Sequence, residues 1–154
     1  MRTSIKALAL AAAVLVSLTA CEKPKPEVTV FSGARSVHAP AECWMNGDGA
    51  CTVDAASEPT VLQATSSSTL GISVDSDVAE VGWRPVLVVN GQEQPLTTGV
   101  LHRRYWRMAY PEVALSGLEG QPLQLIIYSV TDDGQSVRGY WNFSLTNDAS
   151  LDNA

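Results

Sequence analysis

Apolar and polar residues alternate with a period of two through much of this chain, the spacing of half-buried strands. Val28 and Val30 alternate with Thr29 and Phe31, so Glu27 to Phe31 reads as a first strand. Thr60 to Thr65 reads as another. Leu70, Ile72 and Val74 alternate with Gly71, Ser73 and Asp75. The polar stretch from Asp75 to Glu80 follows as a connection with room for one helical turn. Trp83 to Val89, then Asn90-Gly91, then Gln92 to Leu96 spell a hairpin with a type I′ turn, because Asn and Gly tolerate the two positive φ angles it needs. The unbroken apolar run Val86 to Val89 predicts burial on both faces of that strand. Tyr105 to Tyr110 and Leu123 to Val130 are further strands, and Asp132-Asp133-Gly134 turns the chain. In the last strand Val137, Gly139, Trp141, Phe143 and Leu145 share one face, opposite Arg138, Tyr140, Asn142 and Ser144. No window sustains helical periodicity and no internal repeat is visible. About seven short strands with turn residues between them predict an all-β, immunoglobulin-like antiparallel sandwich. Trp83 and Trp141, each among apolar neighbours, are expected in its core.

The first residues follow a different pattern. Arg2 and Lys6 precede Ala7 to Leu18, which is uncharged and apolar except for Ser17. A run of this length suits the apolar part of an export signal and is short for a membrane span, which takes about 20 residues. It ends in Leu18-Thr19-Ala20-Cys21, an order that resembles the bacterial lipobox. That resemblance implies cleavage before Cys21 and lipidation of Cys21, placing the protein on the extracytoplasmic face of the cell membrane. The expected organisation is a signal peptide over 1–20, a lipidated Cys and stalk over 21–26, the sandwich over 27–146 and a disordered tail over 147–154. The alternating prolines of Lys23-Pro24-Lys25-Pro26 favour an extended stalk of about 15 Å.

Net charge is −6 from 10 basic and 16 acidic residues. Removal of Arg2 and Lys6 with the signal would leave 8 basic residues against the same 16, or −8. An acidic domain is poorly suited to nucleic acid, whose binding depends on neutralising phosphates. Export favours pairing of Cys43 with Cys51 across Trp44 to Ala50, where Asn46-Gly47 and Asp48-Gly49 turn the chain. Asn46-Gly47-Asp48-Gly49 also has the look of a calcium-loop start, but the closing Glu of an EF-hand loop is not in place and Pro59 interrupts. A copper site would need more than His38 and His102. No cofactor and no metal are expected.

Enzyme constellations are also weak. Gly71-Ile72-Ser73-Val74-Asp75 lacks the last Gly of a hydrolase elbow and lies within a strand. The paired carboxylates Asp75/Asp77 and Asp132/Asp133 fall in turns, where Asp bonds its own backbone. The chain is therefore expected to bind rather than catalyse. Three of the six Arg residues of the mature chain fall within His102-Arg103-Arg104-Tyr105-Trp106-Arg107. In an extended strand Arg103, Tyr105 and Arg107 share a face, opposite Trp106 and Met108. Arg and Tyr are prominent in protein interfaces. The three are the candidate contact surface for an envelope protein partner, with an envelope polysaccharide or anionic lipid as the alternative ligand and a structural envelope role as a third reading.

Two resemblances add to this. The stretch Leu115-Ser116-Gly117-Leu118-Glu119-Gly120, with Leu125 to Gly134, resembles the later strands of a fibronectin type III domain, although Leu123 and Gln124 stand where its corner Tyr would be. Over the full length, the lipobox, Cys21-Glu22-Lys23-Pro24, the two-cysteine segment, Gly82-Trp83 and Gly139-Tyr140-Trp141-Asn142-Phe143 resemble a family of small actinobacterial lipoproteins of unknown function. This second resemblance implies location and fold and carries no chemistry.

Overall fold

The computed structural model describes residues 23–47, 49–54, 57–64, 69–109 and 122–147. The expected signal peptide, Cys21 and residues 148–154 of the expected tail lie outside them, as do residues 110–121. The described residues form ten strands: β1 Glu27–Ser32, β2 Arg35–Pro40, β3 Cys43–Trp44, β4 Thr60–Ala64, β5 Thr69–Val74, β6 Trp83–Val89, β7 Gln92–Pro95, β8 Tyr105–Ala109, β9 Leu123–Val130 and β10 Val137–Asn147. One short helix, α1 Ser76–Val81, joins β5 to β6.

Two sheets result. Four strands in the order β2-β1-β5-β8 make sheet A, and the order β3-β10-β9-β6-β7, with β4 beside β10, makes sheet B. All pairings are antiparallel except β4 on β10, which is parallel. The two sheets close on one core. Val28, Val30, Leu70, Ile72 and Val74 of sheet A meet Leu87, Leu123, Leu125, Ile127, Phe143 and Leu145 of sheet B. The fold is an all-β, immunoglobulin-like sandwich. Trp83 and Trp141 are both fully buried in it. Their indole N–H groups find main-chain acceptors, Arg103 O at 2.8 Å and Pro26 O at 3.2 Å. A buried donor left unpaired would cost about 1–3 kcal/mol, so these two bonds fix where the chain passes at residues 103 and 26.

Asn90 and Gly91 both take positive φ, 52° and 76°, as the type I′ turn demands. Several details depart from the sequence pattern, among them the parallel pairing of β4 with β10 and the short strand β3. β2 pairs with β1 around Gly33 and Ala34, where no strand is predicted. A bulge between Val137 and Gly139 turns Val137 to the outer side of sheet B, away from Trp141 and Phe143. Residues 23–26 of the expected extended stalk bond to the domain. Lys23 pairs with Asp77, Lys25 Nζ donates to Glu42 O at 3.0 Å, and Pro26 is buried with its carbonyl accepting from Ala41 N at 3.0 Å.

Candidate functional site

The outer face of sheet A carries the first candidate surface. Within β8, Trp106 and Met108 turn inward against the core while Tyr105 and Arg107 are exposed, as the alternation predicts. Arg103 does not join them. It precedes β8 in a bend whose position is set by the Trp83 indole bond to its carbonyl. The Arg104 carbonyl is likewise taken, by Val74 N at 2.9 Å. Tyr105 and Arg107 are thus brought together on one face, and Arg103 is held at the end of the sandwich, lining a hollow with Leu96, Leu101 and Trp106.

A residue that the sequence did not single out completes this face. Phe31 and Arg107 stand opposite Gly71 on either side, and Tyr105 stands opposite Ser73. Gly71 leaves an open lane across β5. The Phe31 ring fills it, since a Cβ on Gly71 would sit 2.1 Å from Phe31 Cε2. Through that lane Phe31 reaches Tyr105 and stacks on it. Tyr105 remains 45% exposed, so the stack presents an aromatic surface on the face that also carries Arg107. Among the described residues, β8 pairs only with β5, which leaves it as the sheet's edge.

The outer face of sheet B is built differently. Val86, Ile126, Tyr128, Val130 and Tyr140 form a second buried cluster there, capped by Cys51. The chain reaches this position because Cys43 and Cys51 form a disulfide, with Cα atoms 6.0 Å apart. The intervening segment bonds the margin of β10: Met45 N to Arg138 O at 2.8 Å and Cys51 N to Val137 O at 2.7 Å. Beyond Cys51 it continues over the sheet, where Asp54 N donates to Tyr140 Oη at 3.1 Å and Asn142 Nδ2 donates to Ser57 O at 3.4 Å. The disulfide therefore fastens a strap across the sheet.

Between this strap and the β6–β7 hairpin lies a cleft of about 170 Å³. Tyr128 Oη donates to Glu93 Oε1 at 2.6 Å, and Gln124 Nε2 donates to Asn142 Oδ1 at 3.0 Å. Burial of Tyr128, together with its bond to Glu93, pushes its phenol well above the usual range, so it stays a donor. The continuous apolar runs in β6 and β9 are the sequence signal for this second buried face; nothing in them marked a cleft. Among the described residues no group of three His, Cys, Asp or Glu could hold a metal ion. No family model, curated protein or solved structure matches the chain.

Proposed function

We propose that this is an exported, lipid-anchored protein whose sandwich acts as a protein-interaction module in the cell envelope, meeting its partner through the outer face of sheet A. The observation that supports this reading is the exposed Phe31–Tyr105 stack beside Arg107 on an otherwise acidic domain. A preorganised aromatic pair loses little conformational freedom on binding, and an adjacent guanidinium adds a forked donor for a carboxylate. The partner this face suits presents an apolar spot ringed by acidic side chains. The lipobox resemblance at Cys21 supports the anchor, and the strap disulfide suits an oxidising compartment.

The test is crosslinking in native membranes followed by mass spectrometry, comparing the wild type with Tyr105→Ala/Arg107→Ala. Both side chains are exposed, so the double variant keeps its melting temperature within a few degrees while losing most of the crosslinked partner. Undiminished crosslinking by a folded double variant would overturn the reading.

A further inference from the structure

We infer that the cleft on the outer face of sheet B is a binding site for a single neutral sugar ring, separate from the sheet A surface. Its size, its polar groups and its lack of a lining cation each narrow the ligand. A closed cavity of about 150 Å³ holds benzene, and this open cleft measures about 170 Å³, room for one face of a single ring with its further substituents left in solvent. No Lys or Arg lines it, and Arg84, which stands opposite Tyr128 and whose charge acts on that phenol, is outnumbered by Asp54 and Glu93, so an anion is disfavoured.

The hydrogen-bonding capacity then separates a sugar from an organic cation. Tyr140 is 4% exposed, and its hydroxyl oxygen already accepts from Asp54 N. Its own proton remains to be donated, and it needs an acceptor. Glu93 has a second carboxylate oxygen beyond the one that Tyr128 occupies, and Gln124 has a carbonyl beyond the amide it gives to Asn142. The cleft thus offers a donor and several acceptors close together. An ammonium only donates and cannot take the Tyr140 proton. Ring hydroxyls do both. Ile126 and Val88 supply an apolar wall against which the C–H face of a pyranose or furanose ring can lie. Both phenols are held in place beforehand, Tyr128 by Glu93 and Tyr140 by the strap, so little ordering is left for the ligand to impose.

The test is amide chemical-shift titration of the purified protein with methyl glycosides of glucose, mannose, galactose and arabinose. Butylammonium chloride and sodium acetate serve as the cation and anion arms. At least one glycoside is expected to shift the Ile126, Tyr128, Tyr140 and Asn142 resonances in a saturating curve, with a dissociation constant on the order of millimolar for so small a ligand. Tyr140→Phe and Gln124→Ala should each weaken it by about threefold or more, the loss of one hydrogen bond, with the fold checked by melting temperature. Tyr105→Ala/Arg107→Ala should leave it unchanged, so failure here and failure of the sheet A reading are told apart. The inference is overturned if no glycoside saturates, if only butylammonium or acetate does, or if both cleft variants bind the glycoside as tightly as the wild type.

Discussion

Phe31 and Tyr105 lie on strands that are not neighbours, yet their rings stack with centroids 5.6 Å apart and planes within 1° of parallel. The strand between them, β5, contributes Gly71 at the crossing point. An exposed aromatic pair of this kind is worth about 0.5–1.5 kcal/mol beyond the area it buries. Its significance is geometric: it turns two half-exposed side chains into one fixed surface.

Gly71→Ala should remove that surface without unfolding the domain. The added Cβ would meet Phe31 Cε2 and Cζ at 2.1 and 2.3 Å. Those atoms are the far end of a side chain that can rotate outward, so the expected destabilisation is about 1–2 kcal/mol rather than a failure to fold. Chemical denaturation gives the stability, and loss of ring-current shifts at Tyr105 reports the broken stack. A variant with the stack intact would show that the lane across β5 admits a methyl group beside the Phe31 ring.

Trp83 joins packing to loop placement, and two substitutions separate the roles. Trp83→Ala should cost about 3–5 kcal/mol by leaving a large cavity between the sheets. Trp83→Phe keeps most of the ring and removes the donor to Arg103 O, at an expected cost of about 1–3 kcal/mol. In the second variant the increase in hydrogen exchange should concentrate in residues 102–104. Equal losses in the two variants would mean that the indole N–H, and not the ring, carries the stability.

The strap gives a third prediction. Replacing Cys43 and Cys51 together by Ser should cost about 2–3 kcal/mol for so short a loop. Cys51 also caps the outer cluster of Val86, Ile126 and Tyr140, so the loosening should be local. Amides of 45–54 should exchange faster, while those of β5 and β9 stay protected. A cooperative loss across both sheets would instead make the strap part of the global folding unit.

Much of this architecture was legible because burial imposes a strict period. β5 and the second half of β10 bury the side that alternation picks out, β6 and β9 bury residues on both sides as their continuous apolar runs require, and the Asn90-Gly91 turn follows from the conformations those two residues tolerate. What was not legible has physical causes as well. β2 is an edge strand whose Ser36 and His38 are exposed, so its only apolar signal is Val37 and Ala39. A bulge cannot be read from alternation, and it misplaced Val137. Arg103 would share a face with Tyr105 in an extended chain, whereas the Trp83 bond holds it in a bend. Phe31 escaped notice because its partner is distant in sequence and the decisive residue, Gly71, has no side chain to signal it.

Tyr128 makes stability depend on alkaline pH. Its folded-state pKa lies above the unfolded value of about 10, raised first by burial and then by the bond to Glu93. The folded state therefore holds this proton more tightly than the unfolded state does. The stabilisation is fully present below pH 10 and is lost as pH rises beyond it. Tyr128→Phe should flatten the fall in stability above pH 10 while costing about 1–3 kcal/mol at neutral pH through the lost bond to a carboxylate. Ultraviolet titration of phenolate in the wild type should show Tyr128 ionising only with unfolding. A Tyr128 that titrates near 10 in the folded protein would contradict its burial.

The docking of residues 23–26 has a consequence for the proposed anchor. Lys23 is tied to Asp77 at the start of α1, and Glu27 N donates to Asp75 Oδ2 at 2.8 Å. In sequence, only Glu22 would then stand between a lipid on Cys21 and the docked residues. The end of the sandwich bearing α1 and residues 102–104 would face the bilayer. The Asn90-Gly91 turn lies about 20 Å away, at the other end of β6. In vesicles, a spin label at Ser76 should be shielded from a water-soluble relaxant while one at Asn90 remains accessible. Cys21→Ser should abolish palmitate labelling and membrane partition. Asp77→Ala should keep both and reduce the contrast between the two labels, because Lys23 is released and the domain can swing. Membrane partition that survives Cys21→Ser would remove the lipid anchor, and equal accessibility at Ser76 and Asn90 in the lipidated wild type would remove the fixed orientation.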